Sequence, residues 1–269
     1  MKTVNLKPID FKEKVGQKCN LIQPNVTEDT LFVLDGEPIG FYIRDVSKYS
    51  TKLSDFVGIA NSEFKSKRVP KSMMARSSQM VARREGGEGV QQFSTIIGSV
   101  PPKPHMRRAY PTISSVHAVE SAKQFIKAML LSCRESEKII KLIMPDVYEN
   151  QLNIIKDKVP EQWRFGKLFT SSISNFNIAA PYHQDNANLR DCLNVILTKR
   201  QNSIGGNLNV PEFGLTFDSC DNSMIVYPAW KSLHGVTPII PTADGGYRNS
   251  LIFYPLRAFS NLIDSNGGA

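Results

Sequence analysis

The chain has 269 residues, 41% of them hydrophobic, and a formal net charge of +8. That length supports one sizeable domain, or a domain with an N-terminal elaboration, and no apolar run reaches the length of a membrane span. The polar start MKTVNLKPIDFKEK has no apolar signal core, and the four cysteines (Cys19, Cys133, Cys192 and Cys220) form no CxxC pair, which argues against secretion, a zinc ribbon or a disulfide framework.

In chain order, LFVLDGEPIGFYIRDV (31–46) predicts a hairpin, two apolar runs around an Asp-Gly turn. Residues 60–112 have another texture. They hold the Gly-rich REGGEG (84–89), the proline cluster VPPKPHMRRAYP (100–111) and, between Lys65 and Arg108, ten basic residues against two acids, an excess equal to that of the whole chain. This composition predicts an extended, loop-rich segment. The clustered charge fits a polyanion partner and fits a solvated loop equally well. REGGEG lacks the GK[ST] ending of a phosphate loop and carries no nucleotide meaning. From His117 a helical period appears in Ala118, Ala122, Phe125, Ile126, Met129 and Leu130, continues over Lys138 to Leu142, and is interrupted at Pro145. A second helix is predicted over Val147 to Ile155.

From about Phe165 the texture is β. Predicted strands are 168–179, 192–198, 206–211, 214–217, 223–227 and 248–255, short and evenly spaced, as in an all-β sandwich or barrel. The predicted fold class is α+β with a mainly β core, helices packed on one side of a jelly roll. Residues 1–116 form the N-terminal hairpin and basic elaboration, and 117–269 the helices and β core, together one structural unit.

PYHQDNAN (181–188) places His183 and Asp185 two residues apart. On a strand such a pair shares one face and can reach one ion. His234, in SLHGVTP, is the next histidine. Two histidines and one carboxylate make the facial triad of non-haem Fe(II) oxygenases. His183 alone fits a structural histidine as well. Arg248 and Ser250, in RNSLIFY, would share a strand face. A guanidinium there can grip a carboxylate in two-point fashion.

The order HQD…HGVTP…RNSLIFY resembles the Fe(II)/2-oxoglutarate dioxygenases built on a double-stranded β-helix. More narrowly, HQDNAN followed by LNVILT, together with GGNLNVPEFG, resembles the TET/JBP branch, over roughly residues 165–257. That branch oxidises the methyl group of 5-methylpyrimidines in nucleic acid. The resemblance implies Fe(II), 2-oxoglutarate and dioxygen as cofactor and cosubstrates. It implies His183, Asp185 and His234 as iron ligands, Arg248 and Ser250 on the distal carboxylate of 2-oxoglutarate, Asn188 as a base contact and Tyr254 as the stacking aromatic. Tyr254 fits a core aromatic equally well. Leu256 stands where animal members have a histidine, which leaves the base open among 5-methylcytosine, thymine and others. A second arginine for 2-oxoglutarate has four candidates, Arg44, Arg76, Arg83 and Arg84.

The leading expectation is hydroxylation of 5-methylcytosine to 5-hydroxymethylcytosine in DNA. The phosphate backbone would be tracked by Lys65, Lys67, Arg68, Lys71, Arg76, Arg83, Arg84, Arg107 and Arg108. A monomer without membrane contact is expected in the cytoplasm, the host's for a phage-encoded chain. The alternatives are a 2-oxoglutarate oxygenase acting on a protein side chain or small molecule, and a non-catalytic jelly-roll binding protein.

Overall fold

The computed structural model describes residues 1–66, 69, 92–102 and 109–260. The strands run β1 (Lys2–Asn5), β2 (Thr30–Leu34), β3 (Glu37–Ile43), β4 (Phe93–Val100), β5 (Thr112–Ile113), β6 (Ser171–Phe176), β7 (Ala180–His183), β8 (Asn194–Gln201), β9 (Ser203–Gly205), β10 (Leu208–Val210), β11 (Leu215–Phe217), β12 (Met224–Tyr227), β13 (His234–Val236), β14 (Ile239–Pro241) and β15 (Tyr247–Tyr254). The helices are α1 (Thr51–Lys65), α2 (Lys123–Ile143) and α3 (Pro145–Lys158). Among the described residues a nine-stranded sheet has the order β1-β2-β3-β12-β8-β15-β6-β4-β5. A four-stranded sheet, β11-β10-β13-β7, faces it, and β14 and β9 form a separate ribbon. This is the predicted jelly roll, with the helices on its outer side.

Period-2 alternation divides the large sheet into two faces. Phe41 and Ile43, Val195 and Leu197, Met224 and Val226, and Leu251 and Phe253 pack against α1 and α2. The residues between them, Tyr42, Ile196, Ile225, Tyr227 and Ile252, pack toward the small sheet. Successive side chains of a strand point to opposite faces, so one sequence register fixes both contacts. The inner face of β8 and β15 is therefore Asn194, Ile196, Thr198 and Arg200 on one strand and Arg248, Ser250, Ile252 and Tyr254 on the other.

The hairpin forms as predicted, β2 pairing antiparallel with β3. Asp35 (φ 52°) and Gly36 (φ 87°) both take the left-handed conformation that a two-residue hairpin turn needs. Pro145 takes the first position of α3 rather than lying inside a helix, and α2 stops at Ile143. The helical stretch begins later than its periodicity implied. Ser115–Ala118 and Glu120–Ala122 are 3-10 turns, and α2 starts only at Lys123.

Two elements correct the reading of 60–112 as loop. Helix α1 extends to Lys65, capped by Ser50, whose hydroxyl accepts from the Leu53 amide at 3.1 Å. Its buried stripe Leu53, Val57, Ala60 and Phe64 lies on the sheet, each large member contributing about 1.5–3 kcal/mol. Strand β4 pairs with β6 over six residues and extends the large sheet. The REGGEG segment lies outside the described residues. No helix among the described residues is long and apolar enough to cross a membrane.

Candidate active site

His183 is the last residue of β7 and sits directly opposite His234 of β13 in the antiparallel register of the small sheet. Their ring centroids are 4.3 Å apart. Asp185 is not on the strand, contrary to the expectation of a shared strand face. The chain turns after His183, with the Asp185 amide donating to Ala229 O at 3.1 Å and the Asn188 amide donating to Asp185 O at 2.9 Å. That turn brings the carboxylate back, with His183 Nε2 to Asp185 Oδ1 at 3.7 Å. One ligating atom from each of His183, Asp185 and His234 lies within 4.8 Å of the others.

The tautomers suit a metal. His183 Nδ1 lies 2.7 Å from Pro181 O, and His234 Nδ1 lies 3.0 Å from Ser232 O. A carbonyl only accepts, so each ring carries a proton on Nδ1, and in the neutral form its Nε2 presents a lone pair. Burial, with His183 as a second cause, holds the His234 imidazolium well below its ordinary range. His234 is therefore neutral and ligand-competent at physiological pH. Tyr227 meets the His234 ring edge-on, centroids 5.3 Å apart at 85°.

Two asparagines back the carboxylate. Asn194, from β8, donates Nδ2 to Asp185 Oδ2 at 3.1 Å. Because the carboxylate accepts, Asn194 Oδ1 is turned the other way, and it accepts from Asn188 Nδ2 at 3.0 Å. Asn188 Nδ2 also reaches Asp185 Oδ2 at 3.4 Å. This relay commits the Asn188 amino group and leaves its Oδ1 as an acceptor with no donor among the described residues. Asn194 lies in LNVILT and Tyr227 in the predicted strand 223–227, but the sequence reading gave neither of them a role in the site. For Asn194 the signal present was its place on the inner face of LNVILT.

Arg248 lies at the far end of the same wall. It is 2% exposed, and among the described residues its Nε has no hydrogen-bond partner and its Nη1 reaches only Ser250 Oγ, at 3.4 Å. Its strand partner in register is Arg200, whose Nε is likewise unpartnered and whose Nη2 donates to Gly205 O. Burial, and then Arg200, press the Arg248 guanidinium down to about 9, still a cation at neutral pH. A buried charge without a counter-ion is costly, so the pocket is shaped for an anion. Gly206 (φ +65°) makes room for this arrangement, because a Cβ there would stand 2.7 Å from Arg248 Cδ. Arg44 donates instead to Asp218 and Thr27 O, and it does not line the pocket. Arg76, Arg83 and Arg84 lie outside the described residues.

His183, Asp185, His234, Arg248, Ser250, Asn188 and Tyr254 all line one cavity of about 290 Å³ between the two sheets. That is just below the roughly 300–1,000 Å³ usual for ligand pockets. From Arg248 to Tyr254 the wall runs about 20 Å, at about 3.3 Å of strand rise per residue. Ile173, Ile178, Ile252 and Leu256 make the rest largely apolar. Burial, and secondarily Asp185, raise the Tyr254 hydroxyl. Of the nine residues expected on a phosphate backbone, Lys65 is described. Its ammonium lies 4.0 Å over the Tyr247 ring, on the helical side of the sheet. Lys67, Arg68, Lys71, Arg76, Arg83, Arg84, Arg107 and Arg108 lie outside the described residues.

The donor set, the two free Nε2 atoms and the orphaned guanidinium fit a divalent iron with a dicarboxylate beside it. The protein is an Fe(II)- and 2-oxoglutarate-dependent oxygenase, a class that also uses dioxygen. Within that class, the chain belongs to the Tet_JBP family, whose model, the oxygenase domain of the 2OGFeDO superfamily, matches residues 100–257. NgTET1 in complex with 5mC DNA is similar at a TM-score of 0.58 and 10% identity, over 97% of this chain and 84% of that one. At that identity the likeness is one of fold. OsALKBH1 follows at a TM-score of 0.43 and 12% identity, over 81% of this chain and 97% of that one. A 2OG-Fe(II) oxygenase family oxidoreductase from Burkholderia pseudomallei has a TM-score of 0.35 and 14% identity, over 76% and 91% of the two chains. No curated protein sequence matches the chain.

Proposed function

We propose that the enzyme hydroxylates the methyl group of 5-methylcytosine in DNA. The observation that carries the choice of base is the amide relay from Asp185 through Asn194 to Asn188, which leaves an acceptor oxygen on the cavity wall. Cytosine offers an exocyclic amino donor on the edge where thymine offers a carbonyl. An acceptor at Asn188 Oδ1 pairs with the first and repels the second.

In this reading His183, Asp185 and His234 hold iron, and Arg248 with Ser250 holds the distal carboxylate of 2-oxoglutarate. The chemistry supplied by the bound group is insertion of one oxygen atom of dioxygen into a C–H bond, with succinate and carbon dioxide as co-products. The chain's own part is positioning. Asn194 fixes the rotation of the Asp185 carboxylate. The apolar wall of Ile173, Ile252 and Leu256 excludes water and seats a methyl group. Tyr254, at the outer end of β15, offers a ring on which a base can stack, worth about 1–3 kcal/mol. A base inside a duplex cannot enter so narrow a cavity, so the nucleotide is flipped out or already unpaired.

Succinate release from 2-oxoglutarate in air tests the substrate class. DNA carrying 5-methylcytosine should stimulate it above the level with the same DNA unmethylated. Stimulation by peptides, and by no DNA, would move the substrate to a protein side chain.

A further inference from the structure

Beside the cavity mouth lies a groove of about 540 Å³ that shares Asn188 with it. Its lining includes four exposed cations, Lys158, Arg190, Lys231 and Arg257, and no carboxylate. They come from four separate places: the end of α3, the loop after β7, the loop between β12 and β13, and the turn just past β15. None has an ion-pair partner among the described residues. The segments that bear Arg190, Lys231 and Arg257 are tied to one another. Gln184 Nε2 donates to Lys231 O at 2.9 Å, the Leu189 amide to Pro255 O at 2.9 Å, and the Arg257 amide to Ala187 O at 2.9 Å. The half-buried Trp230 indole forms part of the wall, and its Nε1 is without a partner among the described residues.

A second basic cleft shows how unusual this is. On the helical side, Arg134, Lys138, Lys141, Lys156, Arg164 and Lys167 line a larger hollow, but Glu137 and Glu161 line it too. There Lys138 pairs with Glu135, Lys141 pairs with Glu149, and Arg164 donates to the carbonyls of Val159 and Lys156. Its walls are α2, α3 and the turns after them, on the outer face of the sheet. The groove beside the cavity is the one with no carboxylate in its lining, and it shares Asn188 with the candidate iron site's cavity.

We propose that this groove holds the sugar–phosphate backbone beside the nucleotide whose base enters the cavity. The inference rests on the nucleic-acid reading above and adds the surface that reading needs. Four cations, three of them on mutually tied loops, repel one another until an anion joins them. A polyanion running past the mouth supplies several phosphates at once and releases its own counter-ions. The Trp230 indole adds a face suited to an unpaired neighbouring base.

The test is fluorescence anisotropy of a labelled DNA strand carrying one 5-methylcytosine, titrated with the full chain loaded anaerobically with Fe(II) and 2-oxoglutarate, over a range of salt. Arg190→Ala, Lys231→Ala and Arg257→Ala combined should weaken binding by at least about tenfold. They should also flatten the log–log salt dependence by roughly two, at about 0.7 per lost phosphate contact on a single strand. Succinate release without DNA should be unchanged, which shows that the variant is folded. The matched variant Arg134→Ala, Lys156→Ala and Lys167→Ala should bind like the wild type. An unchanged affinity and slope in the groove variant, with wild-type binding intact, overturns the groove assignment alone. Equal loss in the matched variant overturns it as well, as does equally potent displacement of DNA by an acidic peptide of the same charge. A wild-type protein that binds DNA at no salt concentration overturns the nucleic-acid reading itself.

Discussion

At the Arg248 end of β15 the cavity wall is charge buried without a partner: a guanidinium 2% exposed, a second arginine in register beside it, and a serine hydroxyl. At the Tyr254 end, about 20 Å along the strand, the wall is a phenol ring, Leu256 and the free oxygen of Asn188, and it gives onto a groove of exposed cations. The first end leaves little choice of ligand, because only an anion relieves it. The second selects by shape, by stacking and by one hydrogen-bond acceptor. This is how a family keeps its oxidant constant while its substrates differ. Chemistry that must always be the same is buried and over-determined, and recognition sits at the rim.

The largest effect should come from the ligand set between the two ends. His234→Ala should abolish both tight Fe(II) binding and turnover, whatever substrate is offered, read by metal content and succinate release. Arg248→Lys tests the closed end. A lysine keeps the charge and loses the planar fork, so the KM for 2-oxoglutarate should rise by about 10- to 100-fold while that for DNA stays the same. Asn194→Ala removes the support of Asp185 and should weaken iron binding by about tenfold or more. It should also erode discrimination between 5-methylcytosine and thymine, a loss that a merely structural role would not produce. The smallest effect belongs to the open end. Tyr254→Ala should raise the KM for DNA by roughly tenfold and leave DNA-independent succinate release alone, and Tyr254→Phe should restore it. An equal loss in both assays for Tyr254→Ala would place that ring in the core and dissolve the contrast between the ends.

The two ends were also unequally legible in the sequence. Arg248, Ser250 and Tyr254 share a face because β15 is regular, and period-2 spacing alone predicts that. His183 and Asp185 were paired correctly for an incorrect reason. The strand stops at His183, and the carboxylate returns through a turn held by Ala229, which no spacing rule encodes. Asn194 and Tyr227 reach the site from strands whose neighbours in space are remote in sequence. Strand β4 was hidden for the same reason: its partners in β6, from Phe176 opposite Phe93 to Ser171 opposite Gly98, are remote in sequence, while its own surroundings read as basic loop. The stripe of α1 was present in Leu53, Val57, Ala60 and Phe64, but Asp55, Gly58, Asn61 and Glu63 between them dilute it. Charge shows the contrast most plainly. The cluster between Lys65 and Arg108 is conspicuous because it is contiguous. Lys158, Arg190, Lys231 and Arg257 are scattered over a hundred residues and become one surface only when the loops around the mouth are tied together.

The measurement closest to the central claim is mass spectrometry of nucleosides after the Fe(II)-loaded enzyme has met 2-oxoglutarate, air, and DNA containing both 5-methylcytosine and thymine. The account predicts 5-hydroxymethylcytosine in excess over 5-hydroxymethyluracil, with neither formed by His183→Ala. Succinate accumulating with both bases unchanged would contradict it.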